Sequence, residues 1–136
     1  MAYWLVKSDP DEYSFADLQR DKTTEWTGIR NHQAKNNLAA MGKGDRVLVY
    51  HSQDEKSIVG FAEVATVAQP DSTAEAGEPW LSVQLKAGLP CNHPLSLAAI
   101  KSNPDLASML IIRNSRLSVM PVTESEYNTI VELTSK

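Results

Sequence analysis

Cysteine is almost missing from this sequence, and what little there is excludes whole classes of fold. Cys91 stands alone, so no internal disulfide can form. No CxxC, HxH or HExxH spacing accompanies it, and neither a metal site nor a cofactor-binding motif is expected. Long apolar runs are also absent. None approaches the roughly 18 residues needed to span a bilayer, and MAYWLVKSDPDEY turns acidic where a secretory leader would be basic. A soluble chain in the reducing cytoplasm is the expectation, away from membranes. There is no surplus of cations: 13 Lys and Arg face 17 Asp and Glu, a net charge of −4 that argues against coating nucleic acid by phosphate neutralisation. No internal repeat or low-complexity tract is present.

What remains is ordinary globular composition, 42% hydrophobic and 22% charged over 136 residues, enough for one domain and one core. The charge is unevenly spread. Acids crowd into Asp9 to Glu25 and Asp54 to Glu78, while Trp26 to Ser52 and Ile100 to Pro121 are net basic. An acidic body carrying a local basic face is one reading; chance scatter of surface charge is the other.

The apolar patterning predicts strands at Tyr3 to Lys7, at RVLVYHS and SIVGFAEVATVA, from Trp80 to Lys86, and from Arg116 to Met120. Helices are predicted after Ser14, whose spacing to Asp17 is that of a capping box, and after Asn31, where Ala34, Leu38 and Met41 share a face. A third should start at Pro94 and stop or restart at Pro104, and a last should follow the capping box Thr123 to Glu126. Gly42 to Asp45 reads as a plain turn, lacking the phosphate-loop pattern, and Gln69 to Pro79 as a loop. Strands and short helices at irregular spacing point to an α+β mixed barrel decorated by helices.

Several residues could carry chemistry. Trp26 offers a flat stacking surface, with Arg30, Asn31 and Gln33 close behind to read a base edge. It equally fits a barrel plug, with Asn31 only capping a helix. His51 beside Ser52 invites a hydrolase reading, but neighbours along a strand point to opposite faces and no GxSxG elbow is present. Arg113 to Arg116 could clamp phosphate or form a solvated turn.

Four strings together then become informative: YWLVKSDPDEY from Tyr3, WTGIRNHQAKN from Trp26, VYHS from Val49 and SRLSV from Ser115. In this order they closely resemble the EVE domain family of the PUA-like superfamily, related to YTH domains, which cage a methylated adenine, and to ASCH domains. The resemblance implies a PUA-like mixed β-barrel spanning residues 1–136. It also implies a non-catalytic module whose pocket recognises a modified base, a methylated or hydroxymethylated cytosine-like one, in DNA more than RNA. Trp26 would be the stacking wall, and Ser8, Asn31 and His51 the edge readers. Ser52, Leu117 and Ser118 would complete the pocket, and Arg30, Lys35 and Arg116 would contact phosphate. A reader of one everted base needs a lined pocket more than a basic surface, which accommodates the acidic charge.

The sequence departs from the family pattern in carrying Asp9 for Glu, His32 for Tyr and Lys35 for Arg, with a shorter loop at 69–79. The rival from another class is an ASCH-like amidohydrolase acting on modified pyrimidine nucleosides, with Lys7, His51 and Glu63 supplying base and nucleophile. A third is a protein-binding or small-ligand domain. A monomer is the default state.

Overall fold

The computed structural model describes residues 1–135. Six strands form one mixed sheet: β1 (Tyr3–Ser8), β2 (Thr23–Trp26), β3 (Arg46–His51), β4 (Ser57–Pro70), β5 (Leu81–Ser96) and β6 (Val119–Val122). Their order is β2-β5-β4-β3-β1-β6, with β1 parallel to β3 and every other pairing antiparallel. Between them lie α1 (Phe15–Asp21), α2 (His32–Ala40), α3 (Leu97–Ser102) and α4 (Leu110–Arg113), and α5 (Glu124–Ser135) follows β6. The central strands β1 and β3 carry Leu5, Val6, Leu48 and Val49 with essentially no exposure, so both faces of the sheet's middle are covered.

The sheet curls on itself. Trp26, in the edge strand β2, meets the Tyr13 ring edge-on at 6.1 Å, although Tyr13 follows β1 at the other side of the strand order. α2 packs against β6 as well as β4 and β5, covering the gap between the two ends.

Local chemistry explains the helix starts. A helix leaves its first amides without intrahelical partners. In α1 the Phe15 amide donates to His51 Nε2 at 2.9 Å, the Asp17 amide to Ser14 Oγ at 3.1 Å, and Asp17 returns a carboxylate oxygen to the Ser14 amide. Thr123 and Glu126 make the same reciprocal pair at α5. Ser14→Ala should therefore lower stability by about 1 kcal/mol, the usual cost of a lost N-cap, read as a shift in urea midpoint without change of slope.

One buried acid ties the chain's beginning to the turn before β3. The Asp45 carboxylate accepts from the Gly42 amide at 2.8 Å, the Trp4 indole at 3.0 Å and the Ala2 amide at 3.1 Å. Burial alone would raise its pKa, but these donors outweigh it and hold the carboxyl below the ordinary value.

Three expected boundaries move. The segment from Pro94 stays in β5 until Ser96, which caps α3. The last strand runs from Val119 to Val122, later than the expected 116–120, and includes Pro121. Trp80 lies just before β5 and not in it. In addition, β2 and α4 form where no element was expected.

Candidate nucleic-acid interface

Because β1 and β3 run parallel, their C-terminal ends share one rim of the barrel, and antiparallel β6 begins there too. Ser8 pairs with His51, and the Ser52 amide donates to the Ser8 carbonyl at 2.9 Å. The Lys7 amide donates to the Ser118 carbonyl at 2.9 Å, and Lys7 Nζ to the Ser115 carbonyl at 2.7 Å. Four of the expected pocket residues, Ser8, His51, Ser52 and Ser118, thus converge, with buried Leu117 beside them.

Their polar atoms are largely engaged with the protein. Ser8 Oγ donates to the Tyr13 carbonyl. His51 is buried and accepts at Nε2 from Phe15, which leaves the proton on Nδ1 facing Glu55 Oε2 at 2.5 Å. Neither ring nitrogen is left to read a base edge, so His51 holds α1 against the rim instead. Asn31 Oδ1 caps α2 by accepting from the Ala34 amide at 2.9 Å, while the residue itself is exposed.

Trp26 is only 7% exposed and belongs to the core. The loop after it is held by an acid that the sequence did not single out. Asp71, its side chain fully buried, accepts from the Gly28 amide at 2.9 Å, from Arg30 Nη1 at 3.0 Å, and from the amide and hydroxyl of Thr73, both at 2.6 Å. Burial pushes its pKa up, but the Thr73 hydroxyl, the Gly28 and Thr73 amides and the Arg30 guanidinium prevail and bring it to about 2. Gly28 takes φ +83°, a left-handed conformation that glycine adopts without a Cβ clash. Glu25 adds a second tie, accepting from the Ser72 amide and from the Ser72 and Ser82 hydroxyls. The Asx turn at Asp71 to Thr73 was visible as a polar cluster, but its long-range partners were not.

The expected phosphate contacts divide. Arg30 is bound to Asp71 and Thr73, with its side chain still 37% exposed. The side chains of Lys35, half-buried, and Arg116, exposed, have no hydrogen bond or ion pair among the described residues. A groove of about 400 Å³ lies elsewhere, between β4, β5 and α5, lined by Phe61, Glu63, Lys86 and Tyr127 and by none of the rim residues. The rim site is closed around its own hydrogen bonds. Among the described residues no three His, Cys, Asp or Glu side chains group to hold a metal, and no helix is long and apolar enough to cross a membrane.

A small mixed barrel with short helices at its ends, and with strand termini gathered at one rim, defines a PUA-like domain. Within that class the chain belongs to the EVE domain family, whose model matches residues 2–133. Rat thymocyte nuclear protein 1 is 32% identical across 96% of this chain and 73% of that protein. The crystal structure of Atu2648 from Agrobacterium tumefaciens is 40% identical, with a TM-score of 0.94 over 98% of this chain and 93% of that one. Human THYN1, solved in complex with DNA containing 5-methylcytosine, is 28% identical, with a TM-score of 0.92 covering 100% and 99% of the two chains.

Proposed function

We propose that this chain is a non-catalytic reader of a modified base, a methylated or hydroxymethylated cytosine-like one, in DNA in preference to RNA. The observation that carries the reading is the 5-methylcytosine DNA bound by human THYN1, whose fold matches this chain from end to end. The rim supports it. Ser8, Ser52, Leu117 and Ser118 meet there, and Tyr13, whose carbonyl holds Ser8 Oγ, touches Trp26 at the end of β2, with Asn31 five residues further on; hydroxyls, an amide and an aromatic ring are the groups that receive one everted base. Entry of a base requires Ser8 to exchange the Tyr13 carbonyl for the ligand, with Trp26 as the wall behind. His51 acts through α1. Lys35 and Arg116, whose side chains have no partner among the described residues, supply the phosphate contacts, and Arg30 shapes the loop. The single free thiol suits the reducing cytoplasm as the working location.

The amidohydrolase alternative needs Lys7, His51 and Glu63 within reach of one another. Glu63 pairs with Arg46, while His51 lies five residues along β3 from Arg46, roughly 16 Å at the rise of a strand. That separation removes Glu63 from the set, while Lys7 Nζ donates to the Ser115 carbonyl and both His51 ring nitrogens are engaged with the protein.

The test is an anisotropy titration of matched oligonucleotides carrying cytosine, 5-methylcytosine or 5-hydroxymethylcytosine, with RNA counterparts. A modified DNA strand should bind tightest, and equal affinities for all would overturn the reading. Arg116→Ala should weaken every strand alike and reduce the slope of log affinity against log salt by about one, as expected for one lost phosphate contact.

A further inference from the structure

Of the three tryptophans, Trp4 and Trp26 are core residues, whereas Trp80 lies outside the hydrophobic cluster and is partly exposed. Its indole N–H has no acceptor among the described residues. The exposed His32 ring lies 4.9 Å from it, centre to centre, tilted by 35°. The Arg30 guanidinium stands 5.7 Å from the same ring. Three flat groups are therefore collected at the surface where core packing does not call for them; of the two that flank Trp80, Arg30 comes from the loop leading into α2 and His32 is the first residue of that helix.

The assembly is held in place before any ligand arrives. Arg30 is pinned by the buried Asp71 carboxylate and by Thr73 Oγ1 at 3.1 Å, and the Trp80 carbonyl accepts the Asp71 amide at 3.0 Å. Pre-positioning of this kind spares a ligand the entropy of ordering the groups that receive it. Lys35 lies one helical turn beyond His32, on the same side of α2, and its side chain has no partner among the described residues. An aromatic surface, a guanidinium and a free ammonium within one turn of each other are the parts of a nucleotide site: a face for the base and a cation for its phosphate.

We propose that Trp80, with His32 and Arg30, forms a second stacking shelf that holds the unpaired nucleobase next to the one being read, with Lys35 on the intervening phosphate. The shelf rests on the base-reading function proposed above. It differs from the rim pocket in needing no particular base, since every nucleobase presents a flat face.

Abasic probes on the unaltered protein test it. Three single-stranded oligonucleotides would carry 5-methylcytosine flanked by normal bases, by an abasic site 5′, or by an abasic site 3′. Loss of one flanking base should weaken binding about tenfold, within the range for base–aromatic stacking, and loss of the other far less. Trp80→Ala should bind the intact strand about tenfold more weakly and no longer distinguish it from the sensitive abasic probe. Binding of the mononucleotide 5-methyl-dCMP should be unchanged by Trp80→Ala, and Trp80→Phe should retain most of the wild-type affinity. If the protein still prefers the methylated strand but ignores both abasic sites, the shelf is refuted and base reading stands. If it binds no methylated strand above its unmodified control, base reading falls and the shelf falls with it.

Discussion

Asp71→Asn should lower the unfolding free energy by about 2 kcal/mol at pH 7 and by about half as much at pH 3. The carboxyl's drop from an ordinary 3.8 to about 2 is itself a stability difference, near 2 kcal/mol once both states are ionised. A depressed carboxyl contributes fully above its unfolded pKa and loses that contribution as pH falls through the folded one, so the window lies between about pH 4 and pH 2. The side chain is fully buried, so solvent screening takes little from this figure. The amide variant keeps the volume but turns an N–H₂ toward either the Gly28 and Arg30 donors or the Thr73 amide and hydroxyl. Urea titrations of both proteins at pH 7, 4 and 3 give the comparison. A gap that stays constant across that range would mean that the Arg30 and Gly28 contacts do not depend on the charge.

Gly60→Ala should be at least as damaging, by about 3 kcal/mol, at the upper end of the range for overpacking. A Cβ at this position would lie 2.4 Å from Phe15 Cζ and 2.5 Å from both Cε atoms, far inside van der Waals contact. The ring has little freedom to retreat, because Phe15 is buried and its own amide is held by His51. Strain introduced in β4 is therefore transmitted to the start of α1. For a domain of this length the melting temperature should fall by about 10 °C. Adding Phe15→Leu should recover part of the loss, since two residues in contact are not additive. A single-variant melting temperature within about 2 °C of the parent would show that Phe15 can move.

How far the sequence could be read depended on whether the determining partner was close along the chain. The caps at Ser14, Asn31 and Thr123 are local, involving residues three apart, and each was legible. So were β1, β3 and β4, whose apolar runs are short and bounded by turn residues. β2 was not: Thr23-Thr24-Glu25 reads as solvated chain, and becomes a strand only because β5 supplies backbone partners and Ser72 and Ser82 satisfy Glu25. The prolines misled for a related reason. Pro94 falls where β5 has passed its pairing with β2, which ends at Lys86, and Pro121 lies in the edge strand β6, so neither removes a hydrogen bond from the middle of the sheet.

The site followed the same division. Family strings single out Ser8, Trp26, Asn31 and Ser118 as candidates, but residue types alone do not say which polar atoms are free. His51, an edge reader by the family resemblance, secures the start of α1 through the Phe15 amide. Trp80 reads in the sequence as the start of a strand but sits as a surface ring against His32, the position where the family pattern has Tyr. An imidazole at 32 still provides a flat face for Trp80 to stack on.

The parallel pairing of β1 with β3 has a consequence for how the protein is made. As the chain leaves the ribosome, β1 emerges first yet lies between β3 and β6, so it must wait through most of synthesis for its second neighbour. Until Val122 is available, the apolar strand Leu5 to Val6 has one open side, a state that vectorial folding must shield. Within this domain the earliest strand is thus among the last completed, and the rim where Ser8, His51 and Ser118 meet comes into being only when β1, β3 and β6 have come together.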